Sequence, residues 1–121
     1  MTMAKVDHAD GVSFDFIGAF SEIQRRVHQT AVGKGWWDSD RSDAECIVLM
    51  HSELSEAIEA LRHGNPPDDK IPNFSGAEAE LADTIIRIMD LAGRRGWDIG
   101  AAIISKAAMN ATRPHKHGKL F

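Results

Sequence analysis

Apolar residues recur three and four apart along most of this chain, and no stretch alternates convincingly with a period of two. That spacing commits the chain to helices. Phe16, Ile17, Phe20, Ile23 and Val27 predict a first helix from about Phe14 to Ala31, with Ser13 as its N-cap. Ser42-Asp43-Ala44-Glu45 reads as a capping box opening a second helix to about Arg62. Its stripe is Ile47, Met50, Leu54, Ala57, Ile58 and Leu61, and Gly64 with Pro66-Pro67 stops it. Ser75-Gly76-Ala77-Glu78 is a second capping box, followed by the stripe Leu81, Ile85, Ile88 and Ala92. Gly96 ends this third helix after Arg94 and Arg95, cations suited to a helix C-terminus. A fourth starts at Asp98, passes through Ile103, Ile104, Ala107 and Ala108 to about Ala111, and is stopped by Pro114.

The expected fold is therefore all-α, a four-helix bundle in a single domain spanning residues 1–121. Residues 1–12 read as a flexible N-terminal tail and residues 114–121 as a basic C-terminal one. A formal charge of -4 argues against a nucleic-acid polymer as partner. The single cysteine, Cys46, has no internal disulfide partner and sits in a helical pattern, as a small buried apolar residue would. It fits a reducing, cytoplasmic setting. No apolar run is long enough to span a membrane, and the start lacks a signal-peptide pattern.

Two acidic pairs carry the chemistry: Glu53-x-x-Glu56 on the second helix and Glu80-x-x-Asp83 on the third. Residues three apart on a helix are neighbours, so each pair can aim two carboxylates at one point. One such pair is ordinarily a solvated face. Two pairs bordering the stripes of consecutive helices can line a common cleft, where their repulsion calls for a hard divalent cation such as Mg²⁺. On the helical wheel Glu59 and Asp90 point away from their stripes and are assigned to solvent. Lys106, Asn110 and Arg113 share a face near the chain's end, followed by His115, Lys116, His117 and Lys119. Such cations can complement a helix C-terminus, or bind phosphate oxygens. Trp36-Trp37, after Gly33-Lys34-Gly35, can cap the bundle or offer a surface on which a nucleobase stacks.

Together these residues resemble the MazG-like all-α nucleoside triphosphate pyrophosphohydrolases. That family's signature is Glu-Glu-x-x-Glu, a spacer, and Glu-x-x-Asp on the next helix. Ser52-Glu53-Leu54-Ser55-Glu56 and Glu80-Leu81-Ala82-Asp83 match it, with Ser52 in place of the first glutamate. Lys106, Asn110, Arg113, His117 and Lys119 are similar to a phosphate-contacting C-terminal segment of some members. The resemblance covers the chain from about Val27 onward. It implies Mg²⁺-dependent (or Mn²⁺-dependent) hydrolysis of a (deoxy)nucleoside triphosphate between the α and β phosphates, in nucleotide-pool house-cleaning. It implies metal ligation by Glu53, Glu56, Glu80 and Asp83, catalysis by Glu53 and Glu56, and substrate binding by the C-terminal residues with Trp36 or Trp37. It also implies a MazG-like bundle completed by oligomerisation, as a homodimer or homotetramer. With Ser52 where the family has glutamate, Glu53, Glu56 and Glu45 are all open as the residue that activates water.

Other readings make different demands. A di-iron carboxylate bundle needs Glu-x-x-His, which does not occur here. A phosphoribosyl-ATP pyrophosphohydrolase would share the acidic signature. A non-catalytic helical interaction module would leave its carboxylates exposed and indifferent to metal.

Overall fold

In the computed structural model, which describes residues 10–121, the chain is all-α. Among the described residues there are four helices and no strand: α1 (Gly11–Gly33), α2 (Asp43–Arg62), α3 (Gly76–Arg95) and α4 (Ile99–Ala111). A short 3₁₀ turn, His115–Gly118, follows within the C-terminal segment expected to be a plain tail. No helix among these residues is long and apolar enough to cross a membrane. Most of the expected N-terminal tail lies outside the described residues, but Gly11 and Val12, counted in it, are helical. Asp10 rather than Ser13 caps α1, because Oδ1 of Asp10 accepts from the Val12 amide at 3.0 Å and Oδ2 from the Ser13 hydroxyl at 2.9 Å.

The chain divides into two compact units, a division that length alone does not reveal. One comprises residues 24–96; the other combines the start of α1 with residues 97–121. In the first unit, α2 and α3 run antiparallel, joined by the proline-containing loop. Ser42 caps α2 by accepting from the Glu45 amide at 3.1 Å, but Glu45 does not return the second bond of a capping box. The box at α3 is complete: Ser75 accepts from the Glu78 amide, and Glu78 from the Ser75 amide. Gly64 and Asn65 turn the chain with positive φ, and Asn65 Oδ1 then accepts from the Ala77 amide at 2.9 Å, tying the turn to the first residues of α3.

Small side chains let α2 and α3 approach closely. Ala57, Ala77, Ala79 and Ala92 are buried, while Trp37, Cys46 and Leu91 form the core cluster with Ala31 and Met50 at its margin. The apolar stripes do not all turn inward. Leu54, Ile58 and Leu61 on α2 and Leu81 and Ile85 on α3 are 40–58% exposed, so the part of each stripe expected to build the core lies on the surface of the chain. The reason is that two helices alone bury one flank of each stripe, and the other flank needs further helical surface to cover it.

Gly93 lies tight against α1. A Cβ there would stand 2.7 Å from Cβ of His28. Gly93→Ala should therefore lower the unfolding free energy by roughly 1–3 kcal/mol through overpacking. Gly18, in the exposed interior of α1 with nothing near its absent Cβ, is the matched control. Gly18→Ala should raise stability by about 0.5–1 kcal/mol from helix propensity alone. Urea denaturation of both variants checks the two signs.

Candidate metal centre

The antiparallel register of α2 and α3 sets Glu53 opposite the stretch from Glu80 to Arg87. Oxygen atoms of Glu53, Glu80 and Asp83 come within 4.8 Å of one another. Three of the four carboxylates expected as ligands thus converge. The fourth, Glu56, is exposed, yet close enough to hydrogen-bond with Glu53 and Glu80 and to add its charge to that acting on Glu80. Glu53 is only 8% exposed, which is rare for a glutamate without a partner. Its partner is Arg87, whose Nε donates to Oε1 of Glu53 at 2.8 Å.

The cluster is electrostatically strained. Two unit charges at such separations repel by about 3–4 kcal/mol at an effective dielectric of about 20. Burial, then hydrogen bonding and charge from Glu53 and Glu56, push the Glu80 carboxyl up to about 7. Burial raises Asp83 as well, helped by the charge on Glu53. Burial would also raise Glu53, but hydrogen bonds from Arg87, Glu80 and Glu56 outweigh it and hold that group below its usual value. The Arg87 ion pair relieves part of this crowding, and the raised Glu80 carboxyl reflects the rest. Oε2 of Glu80 is buried and has no hydrogen-bond partner among the described residues. An all-oxygen donor set with an orphaned buried acceptor fits a hard divalent cation, Mg²⁺ or Mn²⁺, held by Glu53, Glu80 and Asp83.

Glu53 and Asp83 line a cavity of about 290 Å³ within the same unit. Its walls are acidic at Glu53 and Asp83, cationic at Lys34, Arg41 and Arg87, and aromatic at Trp36. Asp90 also lines it, contrary to the wheel that assigned this residue to solvent. Its side chain is 13% exposed and accepts from Nδ1 of His28 at 2.8 Å, Nε1 of Trp37 at 2.9 Å and Nη2 of Arg41 at 3.1 Å. Asp90 lies off the stripe of α3, but the end of α1 and the α1–α2 connection pack on that flank, so α3 is covered on more than one side. Glu59 is exposed, as expected.

The two tryptophans separate. Trp37 is buried, with the guanidinium of Arg41 4.4 Å and that of Arg94 4.9 Å from its ring, and is closed to a ligand. Trp36 is 60% exposed at the cavity wall. The C-terminal candidates belong to the other unit, where Lys106, Asn110, Arg113, His117 and Lys119 are all exposed. α4 ends at Ala111 with Thr112 as its cap, so Arg113 does not continue the helical face of Lys106 and Asn110. His117 lies in the 3₁₀ turn with a left-handed φ of 54°.

Sequence reasoning passed over Arg87, although it stands four residues after Asp83 and so on the same helical face. Arg41 and Lys34 carry no such periodic signal, since both lie in the connection between α1 and α2. The chain matches no protein-family model, no curated protein and no solved structure.

The raised carboxyl of Glu80 has a stability consequence in the metal-free protein. A folded-state value above the unfolded one means that its contribution is complete below about pH 4.5 and is lost as the pH rises through about 7. In EDTA, wild-type stability should fall between pH 5 and 8 relative to Glu80→Gln, and added Mg²⁺ should restore it. Parallel pH slopes for the two proteins would show that Glu80 is not strained.

Proposed function

We propose that this chain is a divalent-cation-dependent nucleoside triphosphate pyrophosphohydrolase of the MazG-like kind, yielding monophosphate and pyrophosphate. One observation carries the reading: two members of a crowded carboxylate triad, Glu53 and Asp83, line a cavity that Lys34, Arg41, Arg87 and Trp36 line as well. A triphosphate chelating a dication has the complementary distribution of charge, with a base at one end. Glu53, Glu80 and Asp83 hold the cation, which supplies neutralisation of the phosphates and a more acidic water. Lys34 and Arg41 face the phosphates across the cavity, and Trp36 offers its exposed ring to the base.

Water attacks the α-phosphorus, the bond to the β-phosphate oxygen breaks, and the water's proton must pass to a base. Of the three carboxylates left open by Ser52, Glu56 suits that role best. Glu53 is engaged with Arg87, and Glu45 stands two turns earlier on α2, about 12 Å along the axis. Glu56 is exposed beside the triad and within reach of a bound water.

The exposed faces of α2 and α3 support completion of the bundle by a second copy. Leu54, Ile58, Leu61, Leu81 and Ile85 are exposed apolar side chains of the kind that helical oligomers cover.

Pyrophosphate release from a panel of standard and modified NTPs and dNTPs, in Mg²⁺ and in EDTA, tests the reading. The expected result is metal-dependent formation of monophosphate and pyrophosphate in equal amounts. Glu56→Gln should lower kcat by about 10²-fold or more with the helical circular dichroism unchanged. No release across the panel by folded protein would favour the interaction-module alternative.

A further inference from the structure

The two arginines on the cavity wall are held very differently. Arg41 is pinned: its guanidinium stacks 4.4 Å from the Trp37 ring and donates to Asp90, and its side chain is 12% exposed. Arg87 makes one hydrogen bond, from Nε to Oε1 of Glu53, and its charge also acts on Asp83. Its two terminal nitrogens make no hydrogen bond among the described residues, and a third of its side chain is exposed, at the cavity wall. The tether ends on a carboxylate that a bound cation would also use. A dication and a guanidinium on the same carboxylate repel each other, so cation binding and the Arg87–Glu53 pair compete.

Taking the triphosphate reading above as its premise, we propose that Arg87 is an exchangeable counter-ion. It neutralises Glu53 in the metal-free protein, yields that carboxylate to the incoming divalent cation, and turns its guanidinium fork onto phosphate oxygens of the metal-bound triphosphate. The long side chain on a fixed helix lets the guanidinium turn without moving α3. The planar fork suits two phosphate oxygens at once, which a lysine cannot match. Metal-free protein is thereby kept from leaving four carboxylates uncompensated, and the charge that occupies the empty site becomes available when the anionic substrate arrives. The exchange makes Arg87 a positioning and substrate-binding residue that the acidic signature does not include.

The test uses two probes in the whole 121-residue chain: Mn²⁺ alone, titrated by electron paramagnetic resonance, and inorganic tripolyphosphate titrated by calorimetry in saturating Mn²⁺. Removing a competing ion pair predicts that Arg87→Met binds Mn²⁺ roughly three- to tenfold more tightly than wild type. The same variant should bind tripolyphosphate roughly tenfold or more weakly, for the loss of a bidentate charge-assisted contact. Arg87→Lys keeps the charge beside Glu53 without the fork, and should bind Mn²⁺ as wild type does but tripolyphosphate more weakly. It serves in place of Arg87→Met if circular dichroism shows that variant unfolded. Weaker or unchanged Mn²⁺ binding in Arg87→Met would overturn the proposal, because an arginine that merely orients Glu53 helps the metal. Tighter Mn²⁺ binding with tripolyphosphate affinity unchanged would overturn it equally, by removing the phosphate half. Either result leaves the proposed hydrolysis standing. Absence of Mn²⁺ binding in wild type would remove both the proposal and the metal centre it rests on.

Discussion

A carboxylate taken out of water must be compensated, and the unit of residues 24–96 is organised around two that are. Asp90 collects a histidine from α1 and a tryptophan and an arginine from the α1–α2 connection, and so fastens both to α3. Glu53, one helix away, is compensated by Arg87, while its neighbour Glu80 is pushed toward its neutral form. The two solutions differ in kind. Asp90 is saturated by donors in fixed places, and removing any partner would strand buried charge. Glu53 sits among other acids, and its relief comes from groups that can leave. A rigid carboxylate holds the cavity's frame while an adaptable one stands where a cation would enter.

That division depends on the approach of α1 to α3. Gly93 leaves no room for a Cβ against His28, and this contact brings the imidazole within reach of Asp90. Trp37 follows, since its indole N–H needs the same carboxylate and its ring accepts the guanidiniums of Arg41 and Arg94. Arg95 adds to this end of the unit, donating from Nε to Asp43 at 2.7 Å and from Nη2 to the Arg41 carbonyl at 2.9 Å. The two cations read from sequence as complements to a helix C-terminus thus also hold the start of α2 and the preceding connection onto α3.

The helices were legible because their signals are local. Ser42, Ser75, the glycine after α3 and the three-and-four spacing each act within a few residues, and the boundaries of α2 and α3 follow them closely, whereas at α1 Asp10 displaced Ser13 as the cap. The acidic pairs were legible for the same reason, and the convergence of Glu53, Glu80 and Asp83 needs only that consecutive helices pack antiparallel. Asp90 was misread because a wheel ranks faces by the apolar stripe of one helix. It cannot register that a second element, itself anchored by polar groups, will cover another face. Trp36 and Trp37 are adjacent and chemically identical, so no periodic signal could say which would be buried. The partner of the indole decided it, and that partner lies far along the chain.

The exposed stripes pose the same problem from the opposite side. Leu54, Ile58 and Leu61 have the spacing of a core, and a rule that sends apolar residues inward sends them into this chain's own interior. Yet a core built mainly from alanines between α2 and α3 leaves little room there for branched side chains. Close approach of the two helices brings Glu53 against Glu80 and Asp83, and small residues are what permit it. Larger residues along that seam would separate the carboxylates and relieve their repulsion, at the expense of the convergence a cation needs. The apolar bulk is consequently displaced to the outer face of the pair, where only further helical surface can bury it. Converging carboxylates and unburied leucines and isoleucines are in this sense one structural choice, made by the alanines at 57, 77 and 79.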